Sequence, residues 1–196
     1  VKPCTGLTPE EGAKIFYQTA LGGVDFIKDD ELLGNPSYSH PADRVKAFRK
    51  AAKAAYEESG NNVKYFVNVT SGTAEIMDNV KAVEDAGADG IMINFAAVGY
   101  SVLKQVAEET NLPILGHAAG SGMVYEGTLN GMSSPLAVGK LARLAGADIV
   151  MVNTPYGGYP LSYQKYMQTI EQLVLPFYHL KASMPSIGGG VHPGLV

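Results

Sequence analysis

Short apolar runs alternate with helical patterns from one end of the chain to the other, and this alternation limits the fold more than any other feature. The runs are Val24-Asp25-Phe26-Ile27, Tyr65-Phe66-Val67-Asn68-Val69, Gly90-Ile91-Met92-Ile93-Asn94-Phe95, Pro113-Ile114-Leu115-Gly116-His117, Ile149-Val150-Met151-Val152-Asn153 and Pro185-Ser186-Ile187-Gly188. Most are too apolar to show water a face, which is the mark of parallel strands covered on both sides. Val1-Lys2-Pro3 reads as the tail of an earlier strand, so about seven strands are expected. Between them, Thr8-Pro9-Glu10-Glu11 is a capping box with proline at the first helical position, opening a helix to about Leu21. Pro41 opens a second helix, with Val45, Phe48, Ala52 and Ala55 on one face. Ile76, Met77, Val80 and Val83 mark a third, and Leu136, Leu141 and Leu144 mark another after Ser133-Ser134-Pro135. Leu32 to His40 and Gly120 to Met132 are the longest loop candidates.

A three-residue signal precedes three of the strands: Gly23-Val24-Asp25, Gly87-Ala88-Asp89 and Gly146-Ala147-Asp148. A glycine that takes a left-handed cap ends a helix and starts a strand at once. Repeated strand–helix units of this kind build either a (β/α)₈ TIM-type barrel or an open doubly wound sheet. No Gly-x-Gly-x-x-Gly follows the first strand, which weakens the dinucleotide-binding version. Polar residues sit instead at the C-terminal ends of the strands: Lys2, Lys28 to Glu31, Asn68, Asn94, His117, Asn153 and His192. Barrel enzymes build their sites at that rim. A full barrel takes about 250 residues, so 196 residues starting at Val1 read as a partial barrel domain cut at both ends.

Composition excludes several classes. With 46% hydrophobic and 17% charged residues the chain is a globular domain, not a disordered one. A formal charge of −4 leaves no basic footprint for nucleic acid. No run of 18 apolar residues suggests a membrane span. The single cysteine, Cys4, cannot form an internal disulfide, which fits a cytoplasmic protein; an inert thiol is the simpler reading of it than a nucleophile.

The Lys28-Asp29-Asp30-Glu31 run carries the chemistry. Alternation along a strand sends Lys28 and Asp30 the same way, and Glu31 joins where the chain bends. Two carboxylates are hard oxygen donors suited to Mg²⁺. A neutral lysine reacts with CO₂ to give a carbamate, a third anionic oxygen ligand. Taken alone, the run reads more simply as a charged turn with a lysine–carboxylate salt bridge.

Gly22-Gly23-Val24-Asp25-Phe26-Ile27-Lys28-Asp29-Asp30-Glu31 resembles the signature of the RuBisCO large-chain family. Val1-Lys2-Pro3 with Gly6-Leu7, Asn68-Val69-Thr70-Ser71-Gly72-Thr73, His117 and Gly189-Gly190-Val191-His192 are similar, in order, to further segments of its barrel. The resemblance implies Lys28 as the carbamylated lysine (CO₂ held as carbamate) and Asp30 and Glu31 as the other Mg²⁺ ligands. It implies Lys2 as a candidate base, His117 and His192 lining the substrate site, and Gly189 and Gly190 offering N–H groups to a phosphate. A structural histidine and a tight glycine turn are the plain alternatives. The resemblance also implies an N-terminal α/β domain absent from this chain, a homodimer in the full-length protein, and inactivity of the 196-residue chain by itself.

The departures lean toward one branch and leave the subgroup open. Ala118 follows His117 where the carboxylases have an arginine that grips a second phosphate; Cys4 replaces a lysine; Gly188 replaces a serine. Ser133-Ser134-Pro135-Leu136, Gly139-Lys140-Leu141, Pro155-Tyr156-Gly157 and His192-Pro193-Gly194-Leu195-Val196 resemble the RuBisCO-like enolases of methionine salvage, which act on 2,3-diketo-5-methylthiopentyl 1-phosphate. Asn35-Pro36 is reminiscent of other RuBisCO-like isomerases or decarboxylases. True carboxylation and a non-catalytic relative stand as further alternatives.

Overall fold

The computed structural model describes residues 3–129 and 131–195. Val1 and Lys2, and with them the expected first strand and candidate base, lie outside the described residues. The chain divides into two units, residues 1–93 with 110–113, and residues 94–109 with 114–196.

In the first unit, α1 (Pro9–Leu21), β1 (Phe26–Lys28), α2 (Pro41–Ser59), β2 (Lys64–Asn68), α3 (Ile76–Asp85) and β3 (Gly90–Asn94) alternate, β3 closing at the boundary of the unit. β1 pairs with β2 and β2 with β3, both parallel, in the register Phe26↔Lys64 and Phe66↔Gly90. α1 starts where the capping box placed it: the Thr8 side chain accepts from the Glu11 N–H, and Glu11 accepts from the Thr8 N–H at 2.9 Å. Phe16 of α1, Phe48 of α2 and Tyr65 of β2 form the core of this unit, with ring centroids 4.8 to 5.6 Å apart.

The second unit holds α4 (Phe95–Val98), α5 (Tyr100–Glu109), β4 (Ile114–His117), α6 (Gly122–Tyr125), α7 (Leu141–Leu144), β5 (Ile149–Asn153), α8 (Tyr163–Val174) and β6 (Met184–Gly188). β4 pairs with β5 and β5 with β6, again parallel. Among the described residues six strands are therefore found where six runs predicted them. α6 interrupts the segment expected to be a loop from Gly120 to Met132.

Gly23, Gly87 and Gly146 all adopt positive φ, 83° to 99°, as the repeated signal predicts. Two aspartates of that signal have a second task. Asp89 accepts the Tyr65 N–H at 3.2 Å, and Asp148 accepts the Ile114 N–H at 2.8 Å. Each satisfies a backbone donor at the start of the neighbouring strand, which an unpaired end would leave exposed.

One expectation is corrected. The helix after Pro135 opens as a π-helical stretch, Pro135–Lys140, before continuing as α7. Leu136 and Leu144, expected on its inner face, are exposed, whereas Ala137, Val138, Gly139 and Ala142 are buried. The wider π turn shifts the inner face onto small residues, which admit α8 at close range. A Cβ on Gly139 would stand 2.9 Å from the Thr169 carbonyl oxygen and 2.8 Å from Gln172 Cβ. Gly139→Ala is expected to destabilise the protein by about 1–3 kcal/mol through overpacking, measured by urea unfolding; an unchanged midpoint would show that α8 moves aside freely. The expectation of strands covered on both faces also holds only in part: β2, β3 and β4 are almost wholly buried, but Met184 and Ile187 of β6 are exposed.

Candidate active site

In the first unit, β1 ends at Lys28 and the chain turns immediately, with the Leu33 N–H donating to the Asp30 carbonyl at 3.0 Å. The three acidic side chains that follow Lys28 have different fates. Asp29 is fully buried. Its carboxylate accepts from Arg44 Nε at 3.0 Å, the Tyr65 hydroxyl at 2.6 Å and the Asn68 N–H at 2.9 Å. It is thus consumed as a pin between β1, β2 and α2. Burial first, and the Asp29 carboxylate second, hold the Tyr65 phenol well above its ordinary range, so it stays a donor.

Arg44 is the hub of this pin. It lies on the inner face of α2 with Val45 and Phe48 and is buried. Beyond Asp29 it donates to the carbonyls of Leu33 at 3.0 Å, Gly34 at 2.9 Å and Asn68 at 2.8 Å, and to that of Ser39. Asn68 completes the frame, its Nδ2 donating to the carbonyls of both Asp30 and Glu31 at 3.1 Å. The backbone of the metal-run turn is therefore held at successive carbonyls by two side chains. Sequence reasoning missed both roles, although Arg44 carried a signal: a charge at helical spacing among apolar residues needs a buried partner.

Lys28 and Glu31 are brought together. Lys28 Nζ stands 3.8 Å from Glu31 Oε2 and donates to the Asp29 carbonyl at 3.0 Å; both side chains are partly exposed. Asp30 is buried, with Oδ1 accepting the Leu32 N–H at 3.0 Å. Among the described residues no three His, Cys, Asp or Glu side chains are grouped to hold a metal. Asp29 is committed to Arg44, and the carboxylates of Asp30 and Glu31 stand on the same turn. A hard cation fits this donor set when the lysine adds an oxygen ligand as its carbamate, and the lysine lies within the same turn. Asn35, the residue reminiscent of other branches, is occupied locally, its Oδ1 2.8 Å from His40 Nδ1.

In the second unit, His117 is the last residue of β4. Its Nδ1 accepts the Ala119 N–H at 3.1 Å, so the neutral ring carries its hydrogen on Nε2. His192 repeats the arrangement, accepting the Gly194 N–H on Nδ1 at 3.1 Å. It lies beyond the end of β6, in the turn before Pro193–Leu195, rather than on a strand. Gly189 and Gly190 follow β6 directly, exposed and at φ of 91° and 68°. Thr154, just past β5, is buried; its hydroxyl donates to the Gly189 carbonyl and accepts the Tyr156 N–H at 3.2 Å. A Cβ on Gly190 would stand 2.6 Å from the Tyr156 carbonyl oxygen, and one on Gly157 2.9 Å from the Gly189 backbone. The 154–158 and 188–190 segments thus meet backbone to backbone, and glycine is required on both sides.

No helix among the described residues is long and apolar enough to cross a membrane. Comparison with known proteins places these features in a family. Residues 1–195 match the model of the ribulose bisphosphate carboxylase large chain, catalytic domain. A ribulose bisphosphate carboxylase-like protein of Archaeoglobus fulgidus is 41% identical over all of this chain and 45% of its own length. A 2,3-diketo-5-methylthiopentyl-1-phosphate enolase of Bacillus cytotoxicus is 38% identical over 90% of this chain and 43% of its own. The crystal structure of a rubisco-like protein from Alicyclobacillus acidocaldarius superimposes with a TM-score of 0.91 at 32% identity, over 99% of this chain and 49% of that one. The chain spans about half the length of these relatives, and its parallel strands and helices are those of the family's barrel domain, in incomplete form. The chain belongs to the ribulose bisphosphate carboxylase large-chain family, within its catalytic domain.

Proposed function

We propose that this chain is the larger part of the barrel of a magnesium-dependent enolase acting on a phosphorylated ketone, 2,3-diketo-5-methylthiopentyl 1-phosphate. The observation that carries the reading is the division of labour in the Lys28–Glu31 turn. Asp29 is taken by Arg44, Tyr65 and Asn68, and Lys28, Asp30 and Glu31 stand on the same braced turn, where a cation would meet them. Lys28 as carbamate, Asp30 and Glu31 would hold Mg²⁺. Bound there, the ion supplies a Lewis acid that stabilises the negative charge left when a proton is removed beside a carbonyl.

The remaining residues bind and orient. His117 and His192 each present an Nε2–H to substrate oxygen, with Nδ1 occupied by a backbone donor. Gly189 and Gly190 offer backbone N–H groups to one phosphate. Lys2 is one candidate base; a lysine of an N-terminal domain is another, and a homodimer in which that domain completes the neighbouring site is part of the same proposal.

Ala118 decides the substrate class. A second phosphate beside it would lose hydration with no guanidinium in return, whereas an apolar tail gains about 0.8 kcal/mol per buried methylene. In the full-length protein, monophosphates with an uncharged tail are expected to bind at least about tenfold more tightly than bisphosphates. Following the absorbance of the enol formed from the diketone phosphate, beside incorporation of labelled CO₂ into ribulose bisphosphate, tests both points. Equal or tighter binding of a bisphosphate, with Ala118 unchanged, would return the chain to the carboxylases. No turnover of either compound would leave it a non-catalytic relative.

A further inference from the structure

We propose that Thr154 is a positioning residue that aims the Gly190 N–H at the substrate phosphate. The inference rests on the phosphate role proposed above for Gly189 and Gly190.

The geometry lies in two successive carbonyls. Along an extended strand, neighbouring carbonyls point to opposite sides. Here both turn to the same residue: the Thr154 N–H donates to the Gly188 carbonyl at 2.9 Å, and the Thr154 hydroxyl donates to the Gly189 carbonyl. The positive φ at Gly189 rotates the second carbonyl to the side of the first. Because the peptide bond is planar and trans, its C=O and N–H point in opposite directions. Drawing the Gly189 carbonyl toward Thr154 therefore drives the Gly190 N–H away from it, at an exposed position. Had the strand continued, that N–H would have turned back toward β5.

The hydroxyl is itself oriented. It accepts the Tyr156 N–H, so its hydrogen is left for the Gly189 oxygen. A Gly–Gly peptide has little steric resistance to reorientation, and without the hydroxyl nothing in Thr154 distinguishes the two orientations of the Gly189–Gly190 plane. A threonine that is buried yet gives its only side-chain donor to this carbonyl acts through the glycines and does not touch substrate.

The test uses the full-length protein and inorganic phosphate as probe, titrated calorimetrically, with Thr154→Val and Thr154→Ser. Valine keeps the shape and removes the hydroxyl; serine keeps the hydroxyl. Thr154→Val is expected to weaken phosphate binding by about tenfold, and Thr154→Ser to stay within about twofold of the unsubstituted protein. With the diketone phosphate, Thr154→Val should raise KM by about the same factor and lower kcat by less, a split that general loosening of the fold would not produce. Wild-type affinity in Thr154→Val would overturn the inference and leave the proposed function standing. Equal loss in both variants would also overturn it, and a tenfold loss in Thr154→Ser would do so alone should the valine variant fail to fold. No phosphate binding by the unsubstituted protein would instead remove the phosphate role of the glycines, and this inference with it.

Discussion

Replacing Lys28 by alanine in the full-length protein is expected to lower kcat/KM by about a thousandfold, the scale at which a group that stabilises developing negative charge is lost. The alternative role of Lys28 makes the test sharp. If it served only as the partner of Glu31, the pair would be a partly exposed ion pair at 3.8 Å. Such a pair contributes about 0–1 kcal/mol to stability and nothing specific to turnover. Activity of the unsubstituted protein should rise with added bicarbonate and Mg²⁺ and fall in EDTA, and Lys28→Ala should respond to neither. A variant that keeps bicarbonate-stimulated turnover would reduce the run to a charged turn.

The largest effect on stability is expected at Arg44. Arg44→Met fills much of the same volume but strands the Asp29 carboxylate, fully buried, with one cation fewer and four carbonyls without their donor. Breaking a buried pair by removing one partner costs about 3–5 kcal/mol, because the remaining charge is uncompensated. The companion change Asp29→Asn removes that charge, so the double variant should recover part of the loss, an interaction that a double-mutant cycle in urea reads directly. Additive losses would mean that Arg44 stabilises the turn through its carbonyl contacts alone. Arg44→Lys should rescue little, since an ammonium cannot reproduce the spread of a guanidinium over Asp29 and the carbonyls of Leu33, Gly34, Ser39 and Asn68.

The sequence carried the fold through periodicity and turn chemistry. Both survive in any context that buries one face, and so the six apolar runs, the Thr8 box and the three Gly-x-Asp signals all reappear as structure. The leucines at 136, 141 and 144 misled because a 3.6-residue period was assumed through a stretch that winds as a π-helix. No residue type announces that winding; Gly139, against α8, was the one available sign. At the site, alternation separated Asp29 from Lys28 and Asp30, but it does not name the partner that Asp29 meets. Tyr65 reads as an ordinary strand residue, and the spacing that sets Arg44 among apolar residues calls for a buried partner without naming Asp29. Thr154 was invisible for a different reason: its role depends on a peptide orientation at Gly189, which side-chain chemistry alone does not encode.

The meeting of Gly157 with Gly189 bears on how the protein moves. The two segments touch through backbone atoms, with Thr154 bridging them. Neither can travel alone: a swing of residues 154–158 must either rupture the Thr154 bond or drag the glycine pair with it. Side chains relieve such stress by changing rotamer, but main-chain contacts have no such slack. Any flexing here carries both segments together, and the exposed Tyr156 goes with them. A displacement at the tip of this loop is felt at Gly189 without an intervening chain of side chains to dissipate it.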